Sequence, residues 1–168
     1  MRYYIGVPLV IFLALAQTAS LPLFSLFGAH PNLVLILLVS WATVRDETEA
    51  MVLIPVAALA LGLLDSQPLG LHLLALAPLA PLALLSGGRQ ADFIQADFLM
   101  ALALAFAATL AYEGIFLVIL RLTGESLNWL GNLSQVVIPA AIANTLLTLP
   151  VYWLVWLGSA DRRRREAL

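Results

Sequence analysis

Apolar residues in this chain arrive in long runs separated by short polar clusters. The first run covers residues 3–27: it is apolar from Tyr3 to about Ser20 and resumes after Pro22 through Leu23, Phe24, Leu26 and Phe27. The second, 31–44, opens at Pro31, Asn32 and Leu33 and stops at Arg45, Asp46 and Glu47. A third, 50–64, ends in a turn at Asp65, Ser66, Gln67 and Pro68, and a fourth, 69–85, ends at Ser86, Gly87, Gly88 and Arg89. The fifth covers 98–120, and the sixth covers 136–157 after a polar stretch from Arg121 to Gln135. A helix needs about 20 apolar residues to cross a bilayer, so these runs predict an all-α, polytopic integral membrane protein with six transmembrane helices. The second and third runs are short, since about 15 helical residues rise only about 22 Å against a hydrocarbon core of about 30 Å. A re-entrant hairpin is the rival for that pair, but its tip would strand the charges of Arg45 to Glu49 in lipid. The start of the chain reads as an uncleaved first span, because only Arg2 precedes it and further apolar runs follow.

Composition agrees with that reading. The 168 residues are 62% hydrophobic and 11% charged, with a mean hydropathy of +1.00. Six spans would leave too little chain for a folded domain outside the membrane, so a soluble enzyme and a receptor with an ectodomain are both excluded, and residues 1–168 form a single membrane domain. There are no cysteines, which removes disulfides, thiolate metal sites and a cysteine nucleophile. All eight basic residues are arginine. With six spans and the amino terminus in the cytoplasm, Arg2, Arg45, Arg89 and Arg162 to Arg165 fall inside and only Arg121 outside, a strong positive-inside asymmetry that places both termini in the cytoplasm. The run Arg162, Arg163, Arg164 and Arg165 reads as an anchor to anionic lipid headgroups, worth about 1 kcal/mol per residue. Internal repeats and linkers are lacking, and nothing points to a nucleic-acid partner.

Polar groups inside apolar runs are costly and therefore mark the candidate sites. Glu113, between Tyr112 and Gly114 in the fifth run, reads either as part of a cavity or inter-protein contact, or as a glutamate buried against another helix or reaching headgroups. Asp65 and Pro68 suit a helix-to-helix turn in which the carboxylate caps free amides and proline opens the next helix. His72 and His30 have no carboxylate cluster at ligand spacing, so no metal site is expected. Asn144, Thr145 and Thr148, with Gln17 and Thr18, read as hydrogen-bonding glue between helices. Pro55, Pro78, Pro81, Pro139 and Pro150 interrupt the runs, and small residues at Ala103, Ala107 and Ala111, and at Ala58 and Gly62, permit close helix approach. Phosphate loops, nucleophile elbows and acidic clusters for magnesium are missing, which predicts a non-enzyme with no cofactor.

Three segments carry a family resemblance: Pro31, Asn32, Leu33, Val34, Leu35; Gly62 to His72, that is Gly-Leu-Leu-Asp-Ser-Gln-Pro-Leu-Gly-Leu-His; and Asn144 followed by Pro150. On these the chain resembles the bacterial rod-shape-determining MreD family. Asp65 follows Gly62 by three positions, where relatives carry another leucine or a second aspartate. The resemblance implies a non-enzymatic component of the cell-elongation complex in the bacterial inner membrane. Its direct partner would be MreC, with MreB, RodA and RodA's penicillin-binding partner in the larger complex that directs peptidoglycan synthesis and rod shape. It also implies a fold like that of the substrate-binding (S) subunits of energy-coupling-factor transporters, and it makes Asp65, Pro68, Leu69, Gly70 and His72 a candidate partner-interface or structural motif; Glu113 and Asn144 stand beside it as candidate intramembrane polar residues from the apolar pattern alone. The competing expectation is a vitamin-binding subunit of such a transporter, which would need a polar outer cavity and an Ala-x-x-x-Ala docking stripe early in the chain. The first run offers only Ala14 with Thr18 and Ala16 with Ser20. An intramembrane enzyme built on Glu113 is the third and weakest expectation.

Overall fold

The structure, a computed structural model, describes residues 3–20, 30–45, 47–65, 67–87, 94–124 and 128–166. All regular structure among them is helical: α1 (Tyr3–Ser20), α2 (Leu33–Val44), α3 (Glu47–Leu64), α4 (Leu69–Leu76), α5 (Leu79–Gly87), α6 (Ile94–Leu122), α7 (Trp129–Asn132) and α8 (Ile138–Glu166), with a π-helical turn over Leu133–Val137 joining the last two. Two stretches are long and apolar enough to cross a membrane, Phe98–Leu122 and Trp129–Ser159. The other apolar helices are shorter.

The short helix α2 sits at the centre. Its twelve residues rise about 18 Å. Every residue from Val34 to Ala42 is buried, so no face of it is left to the outside. A helix that is apolar all round and carries no polar stripe has to be enclosed, and α1, α3, α5, α6 and α8 all pack against it. Leu35, Leu37 and Leu38 of α2 meet Val10 and Ala14 of α1, Leu53 and Ala57 of α3, and Ala105 and Ala108 of α6 in one continuous core.

Proline explains most departures from the expected runs. The fourth run is not one helix over 69–85 but two, α4 and α5, broken at Ala77 and Pro78. Neither Pro78 nor Pro81 has an N–H to give the preceding turn, and Ala80 N–H takes the Ala77 carbonyl instead at 3.1 Å, in a tighter turn. The sixth run is not confined to 136–157: its helical structure runs from Trp129 to Glu166 and includes the π-helical turn. That turn lies before Pro139, which has no N–H for the Gln135 carbonyl, and Ile138 N–H reaches back to Leu133. Pro55 and Pro150, by contrast, lie inside continuous helices. The third run begins earlier than expected, at Glu47, and the fifth covers 94–122. Residues 21–27 of the first run, with Arg2 and Arg89, lie outside the described residues.

Candidate functional site

Asn32 starts the site. It caps α2: its Oδ1 accepts the Leu35 N–H at 3.0 Å and its carbonyl accepts the Ile36 N–H at 3.1 Å, which satisfies amides that a helix start otherwise leaves orphaned. Its own N–H donates to Asn144 Oδ1 at 2.8 Å. Asn144 Nδ2 in turn donates to Thr109 Oγ1 at 3.1 Å, and the Thr109 hydroxyl donates to the Ala105 carbonyl at 2.8 Å. On the opposite side, Gln17 Oε1 accepts the Val34 N–H at 3.3 Å. Four helices, α1, α2, α6 and α8, are thereby tied at one level by groups that are buried or nearly so.

From Asn32 the polar chain continues outward. Its side chain lies beside Tyr112, whose hydroxyl lies 3.1 Å from His72 Nδ1. His72 is only 2% exposed and sits edge-on to Phe116. Its Nε2 lies 3.2 Å from Asp65 Oδ2, yet at an angle outside hydrogen-bond geometry, so the pair is a close polar contact and not a formed hydrogen bond. The Asp65 side chain is 39% exposed, which makes it the mouth of the chain.

Pro68 occupies the N-cap position of α4 and makes no side-chain cap bond of its own. The Asp65 carboxylate faces the imidazole one turn into α4. Gly62 and Leu69 fix that approach. A Cβ on Gly62 would lie 2.8 Å from the Leu69 Cα, so only glycine lets α3 and the start of α4 come this close. Gly70 and Pro68 are exposed, and open space surrounds Gly70.

The other expected residues separate from this cluster. Asn144 is central to it, whereas Glu113 is partly buried on α6 and joins no hydrogen bond among the described residues. Arg162 to Arg165 continue the backbone of α8 as helix, and their side chains lie outside the described residues.

A second polar cluster at the far end of α2 went unanticipated. Trp41 Nε1 donates to Glu49 Oε2 at 3.0 Å, and the Arg45 guanidinium lies 3.7 Å from the same oxygen and 4.3 Å above the Trp41 ring. Arg45 Nε also donates to Ser159 Oγ at 3.2 Å, so α2, α3 and α8 are clasped there. The sequence signal is the spacing Trp41, Arg45, Glu49, which reads as a charged tip only as long as α8 is not known to return beside it.

Carboxylate, imidazole and hydroxyl stand in the order Asp65, His72, Tyr112, the first two in contact without a hydrogen bond. Tyr112 is enclosed by Asn32, His72 and Phe116, however, so no substrate atom reaches its oxygen. No group of three metal-ligating side chains occurs among the described residues. An apolar cavity of about 10 Å³, roughly one water-sized sphere, lies between Leu38, Ile54, Leu79 and Leu104. No protein-family model, curated protein or solved structure matches the chain.

Proposed function

We propose that the chain is an MreD-like, non-enzymatic scaffold of the bacterial cell-elongation complex, partnering MreC and through it helping to direct peptidoglycan synthesis and rod shape. In this reading it crosses the inner membrane six times, as α1, α2, α3, the broken pair α4 and α5, α6 and α8, with both termini in the cytoplasm. RodA, its penicillin-binding partner and MreB belong to the larger assembly, and the run Arg162 to Arg165 meets anionic headgroups.

One observation carries the proposal. The three segments on which the resemblance rests, far apart in the chain, contribute Asn32, Asp65 with His72, and Asn144 to one polar cluster, in which Asn32 hydrogen-bonds Asn144 and Asp65 contacts His72. The hydrogen bonds of Asn144 with Asn32 and Thr109 tie α2, α6 and α8 together, which suits a scaffold. In the membrane reading α2 is shorter than the hydrocarbon layer, and the capping at Asn32 and the clasp at Arg45 keep its ends satisfied.

The test is complementation of a rod-shaped bacterium depleted of its MreD, together with its native MreC. Replacing Asp65, Pro68 and Gly70 together is expected to give round cells and to weaken MreC co-purification. Rod-shaped cells with MreC fully retained on that variant would sink the proposal.

A further inference from the structure

Three carboxylates show how this chain treats acids in apolar surroundings. Glu49 accepts from the Trp41 indole and lies beside Arg45. Asp65 lies against His72. Glu113, the sole acid between residues 98 and 124, makes no hydrogen bond or ion pair with any described residue. On a helix turning about 100° per residue, it stacks one turn after Thr109 and one turn before Leu117, with Phe106 one turn further back. Thr109 is buried and Phe106 is exposed, so Glu113 sits on the rim between the packed face of α6 and its outward face. That outward face is smooth and open: Ala103 and Ala107 are exposed, and nothing lies within 4 Å of a Cβ placed on Gly114.

We infer that the outward face of α6 around Glu113 and Gly114 docks a single membrane-crossing helix of a different protein, one that presents a lysine or arginine at the level of Glu113. The inference rests on the membrane scaffold proposed above and adds the face and the chemistry of the contact. A carboxylate in hydrocarbon is costly unless a cation or donor meets it. A second copy of this chain is excluded as the donor: the sequence contains no lysine, and the nearest arginine along α6, Arg121, lies about 12 Å farther along the helix, and copies inserted in the same orientation keep it there. Arg121 also has an interaction of its own. The open backbone at Gly114 lets the incoming helix approach closely enough for a lysine or arginine to reach the carboxylate.

The experiment is co-purification of the full chain with the bitopic partner proposed above, both expressed whole and reconstituted in nanodiscs with and without phosphatidylethanolamine. Glu113→Gln and Gly114→Leu are each expected to lower the recovered partner by more than about tenfold, while the thermal midpoint of the chain alone stays within a few degrees. Glu113→Lys is expected to abolish recovery and to regain it when a basic residue in the partner's membrane helix is changed to glutamate. Wild-type recovery with both Glu113→Gln and Gly114→Leu overturns the inference and leaves the scaffold reading intact. A partner that fails to bind even the wild-type chain overturns both. If Glu113→Gln changes only the dependence on phosphatidylethanolamine, the carboxylate faces lipid amines and the docking inference fails.

Discussion

Asn144 does with one amide what two separate side chains usually do: its oxygen accepts the Asn32 backbone N–H and its nitrogen donates to Thr109. Replacing it by leucine removes both bonds and strands a buried N–H at the cap of α2, which costs about 1–3 kcal/mol. Thr145, its neighbour, is the control. Its hydroxyl donates only within its own helix, to the Ala141 carbonyl at 2.7 Å. Denaturant unfolding in detergent is therefore expected to show a clear loss for Asn144→Leu and a change within about 0.5 kcal/mol for Thr145→Ala. The polar role of Asn144 was legible from sequence because an amide in an apolar run has few alternatives to helix pairing. Its partner was not, since Asn32 lies 112 residues away and only the packed bundle brings the two together.

At the scale of elements, the turn between α3 and α4 depends on what Gly62 lacks. A methyl group there would press on the Leu69 backbone, which cannot rotate aside as a side chain does. Gly62→Ala is expected to cost about 1–3 kcal/mol and to push the start of α4 away from α3, opening the 3.2 Å approach of Asp65 to His72. A nitrogen-15 histidine spectrum of the labelled protein checks it: a His72 signal identical to wild type would show that the spacing does not depend on Gly62. The helical segments themselves were legible, because long apolar runs ended by Asp, Asn, Gly and Arg leave little else to form. Their breaks were less so. Pro55 and Pro150 lie within a continuous helix, whereas Pro78 marks a break and Pro81 lies in the first turn of the helix after it; there two prolines three residues apart withhold an N–H from the same stretch.

At the scale of the whole molecule, polar groups gather at the two ends of α2 and apolar ones along it. The protein is thus organised around its shortest fully enclosed helix. Amide hydrogen exchange checks this directly: the protection of residues 36–42 is expected to exceed that of α1, whose Tyr4, Ile5 and Phe12 are exposed on one side. Equal protection along both helices would contradict the central placement. That placement was hidden in the sequence because burial on every face depends on helices that follow later in the chain. Enclosure also sets a timetable. Helix α2 is synthesised second, yet two of its five walls, α6 and α8, emerge dozens of residues later. Until they arrive, Asn32 has no amide from Asn144 and Arg45 no hydroxyl from Ser159, so the first half of the chain must wait, partly open, for the second half to close it.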